Sequence, residues 1–393
     1  MTTTDQPSIR PLPEPAQPPG SAEPAKGSAR PPRLAAVDLL RLVAALAVAS
    51  FHYMGTNNPA FWGVTPHDFA FKVHRASMYG WLGVEAFFLI SGFVICMSAW
   101  GRTPGQFAVS RLSRLFPAYW CAIILIVLVT AVTLRDSGQL REILAPRAVV
   151  ANLSMAPGPM HVGLLDGVAW TLWVEGRFYL IMAAVLVFGF TYRRMMAFCT
   201  IWLAVAVIAG EIKNTMLDEV ALTPYAGLFV AGITLYLMYR FGQNLMLWML
   251  MGLAWTFQLT MMNGRVLTHG LDYGTTQHVS WSFCALLLTG FLGLLMLSTI
   301  GPLARLRWRW LVTAGALTYP FYLVHQSIGV PLAKELTAHV PGLSPWPTVT
   351  LALAAMLGLS WLMNRLVENP FGRVMRRHLA NGLNAGEVLR TRS

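Results

Sequence analysis

The chain has 393 residues, 55% of them hydrophobic and only 12% charged, with a mean hydropathy of +0.54 and a formal net charge of +12. Soluble domains carry about 25% charged residues, so this composition excludes an ordinary soluble domain and points to an integral membrane protein. The basic residues are scattered through short connections, a distribution that suits anionic lipid headgroups and argues against nucleic acid as a partner.

Residues 1–33 hold nine of the 24 prolines and no apolar secretion-signal core, so they read as a disordered Pro-rich tail. Ten apolar runs follow, each close to the ~20 residues a bilayer crossing needs. They cover 36–54, 79–98, 116–134, 169–189, 195–211, 222–239, 245–262, 279–298, 310–332 and 347–367. The expected fold is therefore all-α, a polytopic bundle of about ten transmembrane helices over residues 34–373, with a second tail at 374–393. An even number of crossings puts both tails on one side. That side carries 18 Lys and Arg against 8 on the other, with Arg41, Arg177 and Arg365 inside spans. The positive-inside rule then makes both termini cytoplasmic, in a cytoplasmic (inner) membrane. Of the two long connections, 55–78 and 135–168, the second carries turn chemistry, and with no soluble enzymatic domain or repeat any chemistry must belong to the bundle. Cys96, Cys121, Cys199 and Cys284 lie singly in apolar runs without metal-ligand spacing, and neither a metal nor a disulfide is expected.

An ionisable side chain within a span costs on the order of 2.5–3.5 kcal/mol on insertion scales and marks a functional site by default. Span one carries Arg41 near its cytoplasmic end and His52 eleven residues on, about three turns along one face. Span two carries Glu85 in "GWLGVEAFFLISGFVI", at a depth that makes His52 its natural partner, while Gly83 and Ser91-Gly92 allow close helix approach. Arg111 and Arg114 in "SRLSRLFPAYW" share one face of an expected short cytoplasmic helix that Pro117 ends or kinks, and guanidinium forks suit phosphate. Span four opens "VAWTLWVEGRFYL", with Glu175 and Tyr179 one turn apart and Arg177 projecting towards another carboxylate. Span nine holds Thr318, Tyr322 and His325 on one stripe. In span ten, Glu368 reads as a helix-end partner for arginine. His52, Glu85, Glu175 and His325 thus fall in the outer half, and Arg41, Arg111 and Arg114 on the inner side. One set can move protons and the other can hold an anion.

Six stretches in order, "DLLRLVAALAVASFHY", "GWLGVEAFFLISGF", "RLSRLFPAYW", "WTLWVEGRFYL", "TYPFYLVHQ" and "LVENPF", make residues 34–373 resemble the bacterial membrane acyltransferase family 3. The resemblance implies an acyltransferase, of groups other than amino-acyl, that takes an acyl group from cytoplasmic acyl-coenzyme A to a hydroxyl. The acceptor is usually a sugar on a glycan, lipid-linked saccharide or glycoside. The family's Arg-x10-His pattern falls on Arg41 and His52, its basic motif on Arg111 and Arg114, its Trp-Ser-Leu-x-x-Glu motif on Trp170 to Glu175, and its Tyr-Leu-x-His motif on Tyr322 to His325. Ser110 stands where many members have a third arginine. Thr171 replaces the motif's serine, which argues against a required seryl intermediate. The expectation is direct transfer, with His52 as general base and Glu85 orienting it. Arg41, Arg111 and Arg114 would hold coenzyme A, and Trp170, Glu175, Tyr179, Tyr322 and His325 would line the acceptor or acyl site. No permanently bound cofactor is expected. The competing readings are a proton-coupled transporter, in which buried His and Glu relay protons, and an acyltransferase acting on a non-carbohydrate acceptor.

Overall fold

The computed structural model describes residues 34–56, 64–134, 140–272, 279–306, 308–340 and 342–390, so the Pro-rich tail lies outside the described residues. The principal helices are α1 (Ala35–Ser50), α2 (Leu82–Ala99), α3 (Pro104–Thr133), α4 (Trp170–Val187), α5 (Tyr192–Ile212), α6 (Ala226–Phe241), α7 (Leu245–Asp272), α8 (Trp281–Thr299), α9 (Arg309–Val324), α10 (Gly329–His339), α11 (Pro345–Met363) and α12 (Asn369–Arg390). Among the described residues there is no strand, and nine helical segments are long and apolar enough to cross a membrane. A tenth apolar helix, Trp310–Val324, is shorter. This is an all-α polytopic membrane fold.

Helix α6 forms the middle of the bundle: every residue from Ala226 to Met238 is buried, as expected of a helix apolar on all sides. It packs on α2 through glycine. A Cβ on Gly92 would lie 2.3 Å from the Phe229 carbonyl oxygen, and one on Gly232 would lie 2.2 Å from that of Leu89. Helix α2 and the turn before it meet α1 in the same way, with Gly83 against the Ala44 carbonyl and Gly80 against that of Ala47. Such close backbone approach is the usual means of joining helices in lipid, where burial alone supplies little attraction.

Two prolines sit inside helices without ending them. The ring of Pro117 leaves the carbonyl of Ser113, four residues back, without its helical donor. Even so, α3 runs unbroken from Pro104 to Thr133, started by a capping box between Thr103 and Gln106. The expected short helix ending at Pro117 is therefore replaced by a single helix of 30 residues. The Ser113 carbonyl faces Gly372 of α12, where a Cβ would come within 2.8 Å. Pro320 of α9 likewise frees the Ala316 carbonyl, which accepts the Asn364 side-chain amide at 3.4 Å. Asn364 opens a π turn, Asn364–Glu368, that joins α11 to α12. Both backbone defects are thus covered by the C-terminal segment, and helix continues through residues 374–390 of the expected tail.

The expected ninth span, 310–332, is not one helix. It ends at Val324, turns through 325–328 and resumes as α10 at Gly329. His325 sits at that break.

Candidate active site

Helices α1, α2, α3, α4 and α9 enclose a cavity of about 160 Å³ that Arg41, Arg111 and Arg114 line together with Glu175, Tyr179 and Tyr322. Arg41 lies two turns into α1. Arg111 and Arg114 lie on the first half of α3, at the end of the bundle where α1 begins and α11 finishes. The sequence separated Glu175 and Tyr179 from these arginines in depth, whereas the structure brings all five to one cavity. The physical reason is that α3 extends to Pro104 and carries its arginines along the bundle instead of on a detached helix.

The hydroxyls lining this cavity have their hydrogens engaged. Tyr179 Oη donates to Glu175 Oε1 at 2.6 Å, and Ser91 Oγ donates to the same oxygen at 3.0 Å. Thr171 Oγ1 donates to the Val168 carbonyl at 2.9 Å, so in its 3.0 Å contact with Tyr322 it is the tyrosine that donates. Tyr319 Oη donates to the Leu115 carbonyl, and Thr318 Oγ1 to that of Ala314. The donors that remain to meet a ligand are guanidinium N–H groups; Arg111 Nε, for one, is buried with no hydrogen-bond partner among the described residues. A cavity whose available donors are cationic selects an anion, and planar forks suit phosphate. Charge balance tempers this, because Asp38, Glu175 and Glu368 stand close enough to influence Arg41 and Arg114. Glu368 accepts from Asn364 at 2.9 Å, with Arg114 and Arg41 as its nearby cations, while Arg365 lies over the Trp361 ring.

Beyond Tyr322 lies a pair of imidazoles. The rings of Tyr322 and His325 are 5.6 Å apart, and those of His325 and His52 are 5.3 Å apart at 47°. His325 is fully buried; its Nδ1 lies 2.8 Å from the Tyr322 carbonyl oxygen. A carbonyl can only accept, so Nδ1 carries the proton and Nε2 holds a lone pair. That Nε2 is buried without a hydrogen-bond partner among the described residues. His52 is half-buried and sits in a π turn, Phe51–Gly55, that closes α1. Such turns occur frequently at functional sites. The next residue, Tyr53, locks the two segments together: its Oη donates to the His325 carbonyl oxygen at 2.5 Å.

Glu85 does not pair with His52. Its carboxylate, fully buried, forms an ion pair with Arg265 of α7. That guanidinium lies over the rings of Tyr225 and Trp81, at 4.6 and 5.6 Å. The reason is rotational. Gly83 of α2 abuts the α1 backbone at the Ala44 carbonyl, and Glu85, two residues on, is turned about 200° away at 3.6 residues per turn. Arg177 does find a carboxylate, in Glu219. Trp170 joins Phe88 and Tyr225 in an aromatic cluster and does not line the arginine cavity. Sequence reasoning missed Arg265, which lies three residues past the expected end of its span, as well as Tyr53 and Asp166. Asp166 is fully buried in the 163–169 connection and accepts at 2.7 Å from Ser327, two residues past His325. Burial pushes its carboxyl up to about 7, against hydrogen bonds from Ser327 and the Val168 N–H. Among the described residues no cluster of His, Cys, Asp and Glu could hold a metal.

Comparison with curated proteins and with solved structures gives no match. A family model described as an acyltransferase domain, by contrast, matches residues 34–365, which takes in every residue of the arginine cavity and the imidazole pair. The chain therefore belongs to the membrane acyltransferase family 3.

Proposed function

We propose that the protein transfers an acyl group from acyl-coenzyme A to a hydroxyl, most naturally that of a sugar on a glycan, lipid-linked saccharide or glycoside. The observation that carries this reading is a cavity lined by three guanidinium groups and by Tyr322, whose ring lies 5.6 Å from His325, itself 5.3 Å from His52. Coenzyme A is a polyanion ending in a thioester, and such a cavity suits it in order: phosphates on Arg41, Arg111 and Arg114, thioester towards Tyr322. The arginine end faces the cytoplasm in this reading, in keeping with the excess of basic residues in the connections on that side.

His52 acts as general base. Its imidazole takes the proton of the acceptor hydroxyl as that oxygen attacks the thioester carbonyl. The tetrahedral intermediate then collapses with cleavage of the C–S bond, and the departing coenzyme A thiolate takes the proton back from the imidazolium. His325 supplies a second nitrogen lone pair beside it and, through Tyr53, fixes where His52 stands. Glu85, ion-paired to Arg265, holds α2 against α7 and does not orient His52.

The test is transfer of a labelled acyl group from acyl-coenzyme A in membranes holding equal amounts of wild type, His52→Ala and His325→Ala. Positioned proton transfer is worth about 10²–10⁴-fold, so His52→Ala should lose at least two orders of magnitude. Wild-type rates in both variants would end the proposal.

A further inference from the structure

An apolar groove adjoins the arginine cavity. Of about 290 Å³, it runs between α3 and α4 and shares Arg111, Leu172 and Tyr179 with the arginine cavity. Its walls include Phe107, Leu112, Leu115, Met155, Trp173 and Leu180, and Arg111, at the junction, is the single charged residue lining it. It spans residues 107–116 on α3, about 14 Å, and residues 172–183 on α4, about 16 Å, at 1.5 Å per residue. The hollow has an identifiable cause. Leu172, Gly176, Tyr179 and Ala183 form one stripe of α4, and its second and fourth members have little or no side chain. A Cβ built on Gly176 meets nothing within 4 Å.

We propose that this groove holds the hydrocarbon chain of the thioester donor, so that the enzyme uses acyl groups longer than acetyl. The inference deepens the proposed function and rests on it for the identity of the donor. An acyl-coenzyme A with its phosphates at the guanidiniums has its polar part in the cationic cavity. Its apolar chain, starting from a thioester at Tyr322, then needs an apolar exit, and the groove offers one at Leu172, the neighbour of Thr171, which contacts Tyr322. An acetyl group would leave the groove unused, whereas the volume exceeds the ~30 Å³ share of one water several times over. Burying each added methylene favours binding by about fourfold, so selectivity should climb with chain length until the groove is full.

Gly176→Leu fills the hollow, and the open space at that position means the variant should fold; Gly176→Ala gives a graded version. Purified protein is offered acetyl-, butyryl-, octanoyl- and lauroyl-coenzyme A. Binding is read as thermal stabilisation, and transfer is read separately. The wild type should bind octanoyl- more tightly than acetyl-coenzyme A, and Gly176→Leu should lower the octanoyl-to-acetyl ratio at least about tenfold, with Gly176→Ala between. Binding that does not strengthen with chain length, or a ladder that Gly176→Leu leaves unchanged, would overturn the proposal and leave the groove to membrane lipid. Loss of transfer from every thioester would overturn the proposed function instead, while the binding ladder would still decide the groove.

Discussion

The bond from Tyr53 to the break between α9 and α10 can be broken by one methyl group. Gly329 opens α10, and a Cβ there would sit 2.0 Å from Tyr53 Oη, 3.2 Å from Tyr53 Cζ and 3.1 Å from Met356 Cγ. Gly329→Ala must therefore drive the phenol off the His325 carbonyl oxygen that it now reaches at 2.5 Å. Tyr53 is 1% exposed and His325 fully buried, so neither partner recovers the bond from water. Leaving such a group unsatisfied costs about 1–3 kcal/mol, a loss of folded protein measurable as a lower melting point in detergent. The effect on turnover should be larger. Tyr53 adjoins His52 in one π turn, so shifting the phenol shifts the imidazole, and a displacement of about 1 Å at a reacting group can cost about 10²-fold. The assay is acyl transfer per folded molecule, with Tyr53→Phe as companion, since it deletes the bond without the clash. Gly329→Ala should fall further than Tyr53→Phe in turnover. If Gly329→Ala kept wild-type melting and wild-type turnover, the argument that Tyr53 positions His52 through His325 would be wrong.

Other perturbations separate roles that the sequence alone had merged. Glu85→Gln leaves the buried Arg265 charge without its carboxylate and should cost about 3–5 kcal/mol of stability, with activity per folded molecule preserved; a normal yield of folded but inactive protein would restore Glu85 to the catalytic apparatus. Asp166 predicts a pH dependence of stability. Its carboxyl is raised from an ordinary 3.8 to about 7, so the folded state favours the neutral acid. The stability it contributes is complete below about pH 3.8 and is lost as pH climbs through about 7. That loss amounts to about 4 kcal/mol at 1.36 kcal/mol per unit. Melting profiles of wild type and Asp166→Asn should diverge over this window, the asparagine variant being flatter, and parallel profiles would refute the assignment. Gly92→Val forces α2 from α6 at a contact already closed to a Cβ, and should cost about 1–3 kcal/mol or more, visible as reduced folded protein in membranes.

Much of the architecture was readable because a bilayer allows few solutions. Runs near 20 residues gave the crossings, and the eleven-residue spacing of Arg41 and His52 correctly put them on one helix, though the turn that presents His52 is π and carries no distinctive composition. His325 could be singled out as an ionisable residue in a span, but not that it marks a break: "YLVHQSIGV" has helical periodicity throughout, and only the tertiary bond to Tyr53 shows how the freed carbonyl is used. Pro117 misled for a related reason. Proline normally stops a helix, yet the carbonyl it orphans is covered by Gly372, 259 positions later in the numbering. The partner of Glu85 was lost to rotation, since depth along the membrane follows from residue number while azimuth depends on which glycine touches which neighbour. Arg265 counted as loop charge because apolarity had already faded, although α7 continues past it.

The central claim, that the guanidinium cluster binds the donor and the imidazoles act on it, is tested most directly by separating KM from kcat for acyl-coenzyme A in membranes of matched protein content. Arg111→Ala combined with Arg114→Ala should raise KM at least about tenfold, the loss of charge-assisted bonds worth about 1.5–3 kcal/mol each, with a smaller change in kcat. His52→Ala should lower kcat and leave KM nearly unmoved. An unchanged KM in the arginine variant, or a His52 variant impaired only in KM, would contradict the account.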